Sequence, residues 1–277
     1  MKWFITYGDD RFVAAKSKIV EEAKATGVFD KIVSYGNKDL SEDLLKTDVI
    51  KISRGGGLWS WKPDVIWSTM QQAKDGDIIV YCDSGCSLQK SKEWDYYFKK
   101  LNSFDLIAQR LRKRTDRWTR KELLSYFKSN GKEWEKCYQY QATVVIMVNS
   151  PFSRKFVKEW RDLMIDHPEF VMDVTQKERV NQHKSFKENR HDQAIFSALI
   201  YKYRHKSNTR KNIYTKWEHI EDYDFLFKQA IRATRLRQGE LESKGKILER
   251  IFKRLVKDWI YKPFFYIPLQ YYYGRKY

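Results

Sequence analysis

The chain has 277 residues, with 54 Lys and Arg against 36 Asp and Glu, for a formal net charge of +18. That length suits one large domain, or one domain with an appendage, and a core of that size needs no disulfide staples. The charge implies an anionic partner, the 3 Cys suit a reducing compartment, and no stretch approaches the roughly 20 apolar residues that span a bilayer.

Lys2 and Asp9-Asp10-Arg11 interrupt any apolar signal segment, so the expected location is cytoplasmic. Trp3 to Tyr7 reads as a strand and Gly8-Asp9-Asp10 as the turn after it. Phe12 to Ala25 reads as a helix ended by Gly27. Lys31 to Tyr35 is a second strand, and Ser41 caps a short helix reaching Lys46. This β-α-β order is a nucleotide-binding pattern that many functions share. Arg54-Gly55-Gly56-Gly57-Leu58-Trp59-Ser60-Trp61-Lys62-Pro63 comes next. Its glycines allow close approach to a ligand or positive φ, but no Gly-Lys-Ser/Thr follows, so it is not a phosphate loop. It is either a flexible loop or, with two Trp and a Lys beside it, a binding site. Pro63 suits the first position of a helix from Asp64 to Ala73.

Asp75-Gly76 turns the chain into Ile78 to Tyr81, a short apolar run that reads as a buried strand. Asp83 follows its carboxyl end, where α/β sheets meet a ligand or metal ion. Alternatively, Asp83 only caps the next turn. Cys82 and Cys86 lack a second pair at zinc spacing and read as packing residues. Ser91 to Leu101 reads as a helix, Phe104 to Ala108 as a strand, and Lys121 to Phe127 as a helix after the basic stretch Arg110 to Arg120. Thr143 to Val148 is a β-branched strand, and Asn149-Ser150-Pro151 starts a helix from Phe152 to Ile165. Asn189-Arg190-His191-Asp192-Gln193 precedes an apolar helix, Ala194 to Tyr203.

The character shifts near Leu241, which divides the chain into 1–240 and a tail, 241–277. Ile247, Leu248, Ile251, Phe252, Leu255, Val256, Trp259 and Ile260 share one helical face, with Lys and Arg off it. The tail ends in Pro263-Phe264-Phe265-Tyr266-Ile267-Pro268 and Tyr271-Tyr272-Tyr273. Such a basic amphipathic helix either lies at an anionic membrane surface or packs on protein.

Three segments in this order resemble bacterial GT-A glycosyltransferases of capsular or lipopolysaccharide synthesis: residues 55–63, residues 75–85, and Arg190-His191-Asp192-Gln193. The resemblance runs from Trp3 to Tyr203. It implies a Rossmann-type mixed α/β sheet flanked by helices, a nucleotide-sugar donor (a UDP-sugar), and a glycan acceptor, typically lipid-linked. The donor site it implies comprises Thr6, Tyr7, Gly8, Arg54, Gly57, Trp61, Lys62, Asp83, Ser84 and Gly85. In such families an Asp-x-Asp motif holds Mn²⁺ or Mg²⁺ against the diphosphate. Asp83 falls on the first Asp, and Gly85 stands where the second would be. The metal is then held by Asp83 with remote ligands, or Arg54 and Lys62 neutralise the diphosphate instead. Asp192 resembles the acidic residue near the acceptor, with His191 as a second candidate, although Asp192 is equally placed to cap the helix at Ala194. The competing classes are a nucleic-acid binder, with Arg110 to Arg120 as its phosphate-facing surface, and a non-catalytic scaffold of a glycan assembly. No zinc finger, RRM-like or KH motif supports nucleic acid as partner.

Overall fold

The computed structural model describes residues 1–130, 132–205, 212–217 and 229–233, with positions 245, 248, 249, 252 and 256. In chain order the elements are β1 (Lys2–Tyr7), α1 (Val13–Thr26), β2 (Lys31–Tyr35), α2 (Glu42–Leu45), α3 (Gly55–Leu58), α4 (Trp61–Gln72), β3 (Ile78–Cys82) and β4 (Ser87–Leu88). They continue as α5 (Glu93–Leu101), β5 (Leu106–Arg114), α6 (Thr115–Trp118), α7 (Lys121–Tyr126), α8 (Lys132–Lys136), β6 (Tyr138–Tyr140) and β7 (Val144–Val148). Last come α9 (Pro151–Asp166), α10 (Asp192–His205), β8 (Ile213–Trp217) and β9 (Ile231–Arg232). All belong to the first of two compact units, Met1–Gly239 and Glu240–Tyr277.

One sheet runs β2-β1-β3-β7-β5-β6, with β8 also paired to β5. β1 lies parallel to β2 and β3, whereas β7 runs antiparallel to β3 and β5. β6 is antiparallel and β8 parallel to β5. The chain is a mixed α/β protein with its sheet flanked by helices, as expected from the sequence. Alternation along β1 explains the layers. Trp3, Ile5 and Tyr7 face a core shared with Val65, Ile66, Phe156, Trp160 and Phe196 of α4, α9 and α10. Phe4 faces the opposite core with Ile19, Trp94 and Tyr97 of α1 and α5, and with Cys82 and Cys86. Phe156 and Phe196 are fully buried; such side chains stabilise by about 1.5–3 kcal/mol each. β1, β2 and β3 end together at Tyr7, Tyr35 and Cys82, and that edge carries the site.

Local signals set the ends. Gly27 closes α1 at φ 71°, its N–H donating to the Lys24 carbonyl. The Ser41 and Ser150 hydroxyls accept from Leu44 and Ser153 N–H groups at the starts of α2 and α9. Three expectations need correcting. α4 begins at Trp61, so Pro63 sits inside the first turn, where its missing N–H leaves no bond unmade. β5 runs on to Arg114, because Arg110 reaches the Tyr140 hydroxyl of β6 at 3.3 Å and long basic stems pack on aromatic neighbours. α10 begins at Asp192, not Ala194. β4, β6, β8 and β9 were not anticipated.

Among the described residues no helix is long and apolar enough to cross a membrane. Most of the tail read as an amphipathic appendage, including the segment from Pro263 to Tyr273, lies outside the described residues. The described positions there are helical, and Leu248, Phe252 and Val256 are exposed.

Candidate active site

Three elements meet at the carboxyl edge of the parallel strands. Asp83 follows β3, Lys62 lies in the first turn of α4, and Asp192 opens α10. The Lys62 ammonium donates to Asp192 Oδ2 at 2.7 Å and lies 3.2 Å from Asp83 Oδ1. Lys62 is only 2% exposed. The Tyr81 hydroxyl donates to Asp83 Oδ1 at 2.6 Å. Each carboxylate thus spends one oxygen inward. Among the described residues, Asp83 Oδ2 and Asp192 Oδ1 take no hydrogen bond. The Asp83 side chain is 26% exposed and that of Asp192 6%.

Burial alone would lower the Lys62 pKa, but the two carboxylates outweigh it and hold it above the usual lysine value. Burial raises Asp192 above the usual carboxylate range, and the opposing charge of Lys62 does not cancel the rise. Burial, reinforced by Asp83, pushes the Tyr81 hydroxyl well up, so it donates and stays neutral. One buried ammonium thus lies between two carboxylates. Lys62 is therefore not a spare cation for a diphosphate, and Arg54 is paired with Asp173 at 2.7 Å. Both cations that could stand in for a metal are thus already paired within the chain.

Among the described residues no group of three or more His, Cys, Asp or Glu side chains gathers to hold a metal ion. Asp83 fits a sparser pattern, in which a hard divalent ion takes one carboxylate and completes its shell with substrate phosphates and water. Its Oδ2 would be that one ligand if such an ion bound, and Gly85 offers no second.

The glycine-rich segment is neither a flexible loop nor an open cradle. Gly55, Gly56, Gly57, Leu58 and Trp59 have φ of 60, 58, 93, 53 and 61°, a left-handed turn. Leu58 N–H donates to the Arg54 carbonyl at 2.9 Å and Trp59 N–H to that of Gly55 at 3.3 Å. The left-handed region costs a residue with a side chain about 1–2 kcal/mol, which Leu58 and Trp59 bear. A Cβ on Gly57 would lie 2.8 Å from Ile50 Cα. The turn sets two indoles. Trp61 stacks on Tyr7 at 4.1 Å and donates Nε1–H to the Gly55 carbonyl, while Trp59 stacks on His191 at 5.2 Å.

His191 is buried and held at φ 49°. Its Nδ1–H donates to the Val171 carbonyl at 2.6 Å, and Nε2 lies 3.6 Å from Asp173 Oδ1. Burial lowers its pKa. A neutral, clamped imidazole here fixes the backbone entering Asp192. The Asp192 carboxylate turns to Lys62, not to its own helix N–H groups.

Other candidates sit behind the edge. Thr6 is fully buried, and its hydroxyl donates to the Cys82 carbonyl at 2.9 Å. The buried Tyr7 donates its hydroxyl to Asn37, and Gly8 N–H bonds the Tyr35 carbonyl. These residues hold the strand ends together. Ser84 is buried and Gly85 half-buried beside Asp83, and Gly57 is buried beneath the turn. Sequence reasoning missed Tyr81, Lys16, Trp59 as a clamp, and Asp173. Two-residue periodicity puts Tyr81 on the same strand face as Asp83 and could have found it. Lys16 donates to the Gly8 and Tyr35 carbonyls at 3.1 and 3.0 Å. Asp173 lies between α9 and α10 with no local signal.

No protein-family model matches the chain, and no curated protein matches it. Among solved structures it resembles the apo-form glycosyltransferase GlyE of Streptococcus pneumoniae, with 15% identity, 77% of this chain and 44% of that one covered, and a TM-score of 0.38. The chain thus spans less than half of GlyE. It also resembles mouse xyloside xylosyltransferase 1, with 9% identity, 78% and 85% covered, and a TM-score of 0.41. A third is the galactosyltransferase LgtC in complex with donor and acceptor sugar analogues, with 15% identity, 72% and 70% covered, and a TM-score of 0.32. A shared fold does not transfer an activity.

Proposed function

We propose that the chain is a nucleotide-sugar-dependent glycosyltransferase with a GT-A-like catalytic unit over 1–240. It moves a sugar from a UDP-sugar to a lipid-linked glycan in capsular or lipopolysaccharide synthesis. The observation that carries this reading is the shared ammonium: Lys62 takes one oxygen of Asp83 and one of Asp192 and leaves each carboxylate a second. Asp83, at the strand end, serves the donor. A Mg²⁺ or Mn²⁺ bound there neutralises the charge developing on the diphosphate leaving group. Asp192 serves the acceptor and takes the proton of its attacking hydroxyl, a contribution of about 10²–10⁴-fold. Lys62 and Tyr81 orient the two carboxylates, and His191 with Trp59 fixes the start of α10.

In this reading the acceptor lies at an anionic cytoplasmic leaflet, and the tail attaches the enzyme there. Leu248, Phe252 and Val256 recur every fourth helical position and are exposed, and basic residues alternate with them in the sequence. The test is a thermal-shift screen of nucleoside diphosphates and nucleotide-sugars, with and without Mn²⁺, on the native chain and on Asp83→Asn. A ligand at a hundred times its dissociation constant adds about 2.7 kcal/mol. The native chain should be stabilised by one nucleotide-sugar and should hydrolyse it slowly without acceptor. Asp83→Asn should lose the Mn²⁺-dependent part of the shift and all transfer. If no nucleotide-sugar shifts the native chain and none is hydrolysed, the proposal fails.

A further inference from the structure

One buried nitrogen beside the proposed reaction centre lacks a partner. The His191 ring is only 3% exposed. Its Nδ1–H is committed to the Val171 carbonyl, which can only accept, so Nε2 of the neutral ring is a bare acceptor. Among the described residues Nε2 takes no hydrogen bond. It faces Asp173 Oδ1, a second acceptor, at 3.6 Å. Two acceptors set face to face repel, and a proton placed on Nε2 turns the same contact into an ion pair. Charge-assisted N–H···O bonds run to about 2.7–2.9 Å, so the Asp173 side chain has to close by less than about 1 Å.

That oxygen already serves another cation. Arg54 Nη1 donates to the same Oδ1 at 2.7 Å. This pair is about half exposed at both ends, and it ties the glycine turn to residues 172–190. The backbone beneath Asp173 is pinned. Arg120 donates to the Met172 and Asp173 carbonyls at 3.3 Å each, and Asn189 Nδ2 donates to those of Phe170 and Met172 at 2.8 and 3.0 Å. The imidazole is pinned too, by Val171 and by the Trp59 indole stacked on it. Only the Asp173 side chain is left to choose between two cations. The charges acting on the ring are Asp173 from the loop, Arg54 from the turn and Asp192 from its own helix, the last engaged by Lys62. An exposed ion pair contributes little, because water solvates a released guanidinium. A buried imidazolium is costly unless a carboxylate meets it. Burial therefore lowers the His191 pKa, with Asp173 working against the shift and Arg54 adding to it.

We infer that His191 and Asp173 form a proton-operated latch beside Asp192: the neutral ring leaves Asp173 to Arg54, and the protonated ring takes Asp173 Oδ1 and releases Arg54. The inference rests on the glycosyltransferase reading for its consequence, which is regulation of that site by acid. Burial raises Asp192, and a positive His191 pulls it back down, which weakens it as a base. At the same moment the glycine turn loses its ionic tie to residues 172–190. The proton comes from solvent, and His191 acts as a positioning residue.

The test begins with an NMR titration of the full chain labelled with ¹⁵N-histidine, the His191 signal being assigned by its loss in His191→Gln. If His191 stays neutral down to pH 4, no latch exists. A double-mutant cycle of Arg54→Gln and Asp173→Asn is then read by urea unfolding at pH 8 and one pH unit below the His191 midpoint. At pH 8 the two residues should couple by about twofold to fivefold in the unfolding constant, the range of exposed ion pairs. At the lower pH the coupling should vanish. In the His191→Gln background, whose amide can still donate to the Val171 carbonyl, it should persist at both. Coupling that is absent at pH 8, unchanged in acid, or lost in acid without His191 overturns the latch. Should His191→Gln not fold, Asp173→Asn alters a half-exposed side chain and carries the test: His191 should bind its proton about tenfold more weakly, and no change overturns the inference. In turnover, the acid limb of kcat, normalised to each chain's value at pH 8, should move to lower pH in Asp173→Asn, and a limb that stays put overturns the regulatory role. If the native chain consumes no nucleotide-sugar, the enzyme reading fails, while the cycle still decides the latch.

Discussion

Replacing Lys62 by Met keeps most of the stem and removes the charge that two carboxylates share. In the native chain Lys62 is held above the usual lysine pKa, so its contribution is complete at neutral pH and fades only as alkali passes its folded value. Without it, Asp192 is left buried with an uncompensated charge. Breaking a buried pair by removing one partner costs about 3–5 kcal/mol. At about 2–4 °C per kcal/mol for a chain of this size, melting at pH 8 should fall by about 6–20 °C. The loss should be pH-dependent, with a definite sign. Burial already raises Asp192, and removal of Lys62 raises it further. The folded variant therefore holds a proton that the unfolded chain has released. Its stability is greatest in acid and declines as pH climbs from the ordinary carboxylate pKa, about 3.9, through the folded value. Melting curves from pH 4 to pH 9 check this, and Lys62→Met with Asp192→Asn should recover about 1–3 kcal/mol of coupling. A loss that is the same at every pH, with no recovery in the double variant, would refute the shared-ammonium reading.

Asp192→Asn should bind the donor as the native chain does and turn over about 10²–10⁴-fold more slowly; a lower melting temperature with normal turnover per folded molecule would make Asp192 structural only. Gly57→Ala puts a Cβ 2.8 Å from Ile50 Cα at φ 93°. It should lose at least about 2 kcal/mol in urea unfolding, and a loss under about 0.5 kcal/mol would mean that the turn relaxes freely. A chain ending at Gly239 retains the first compact unit and should stay folded and bind nucleotide-sugar. It should lose attachment to anionic vesicles, where each tail Lys or Arg is worth about 1 kcal/mol; aggregation would show instead that the tail covers the catalytic unit.

The fold was legible where burial is two-sided and the apolar run continuous. Ile78–Cys82 and Val144–Val148 could be read directly, because a strand covered on both faces has little polar alternation to blur it. β5 was cut short at Ala108 for the opposite reason. Its second half carries Arg110, Arg112 and Arg114, whose charges look solvated in sequence, yet Arg110 and Arg114 pair with Tyr140 and Tyr138 of β6. β4 and β9 are two residues each and exist through pairing distant in the chain, Ser87 with Arg232 and Leu88 with Ile231, which local propensity does not encode.

The site was legible as a set of residue types but not as a circuit. Asp83, Lys62 and Asp192 stood out separately, and nothing local says that an ammonium from the first turn of one helix lies between a strand-end carboxylate and the first residue of another helix. That relation is a product of topology: α4 leads into β3, α10 packs against α9 on the same face, and the parallel strands stop at one edge. It also changes what each residue can do. A lysine read alone as a phosphate ligand becomes, between two carboxylates, the group that holds one oxygen of each. In the proposed reading the positive charge a diphosphate needs comes from a divalent ion at Asp83, so the Mn²⁺ dependence of donor binding is the measurement that separates this reading from one in which Lys62 and Arg54 leave their carboxylates for the phosphates.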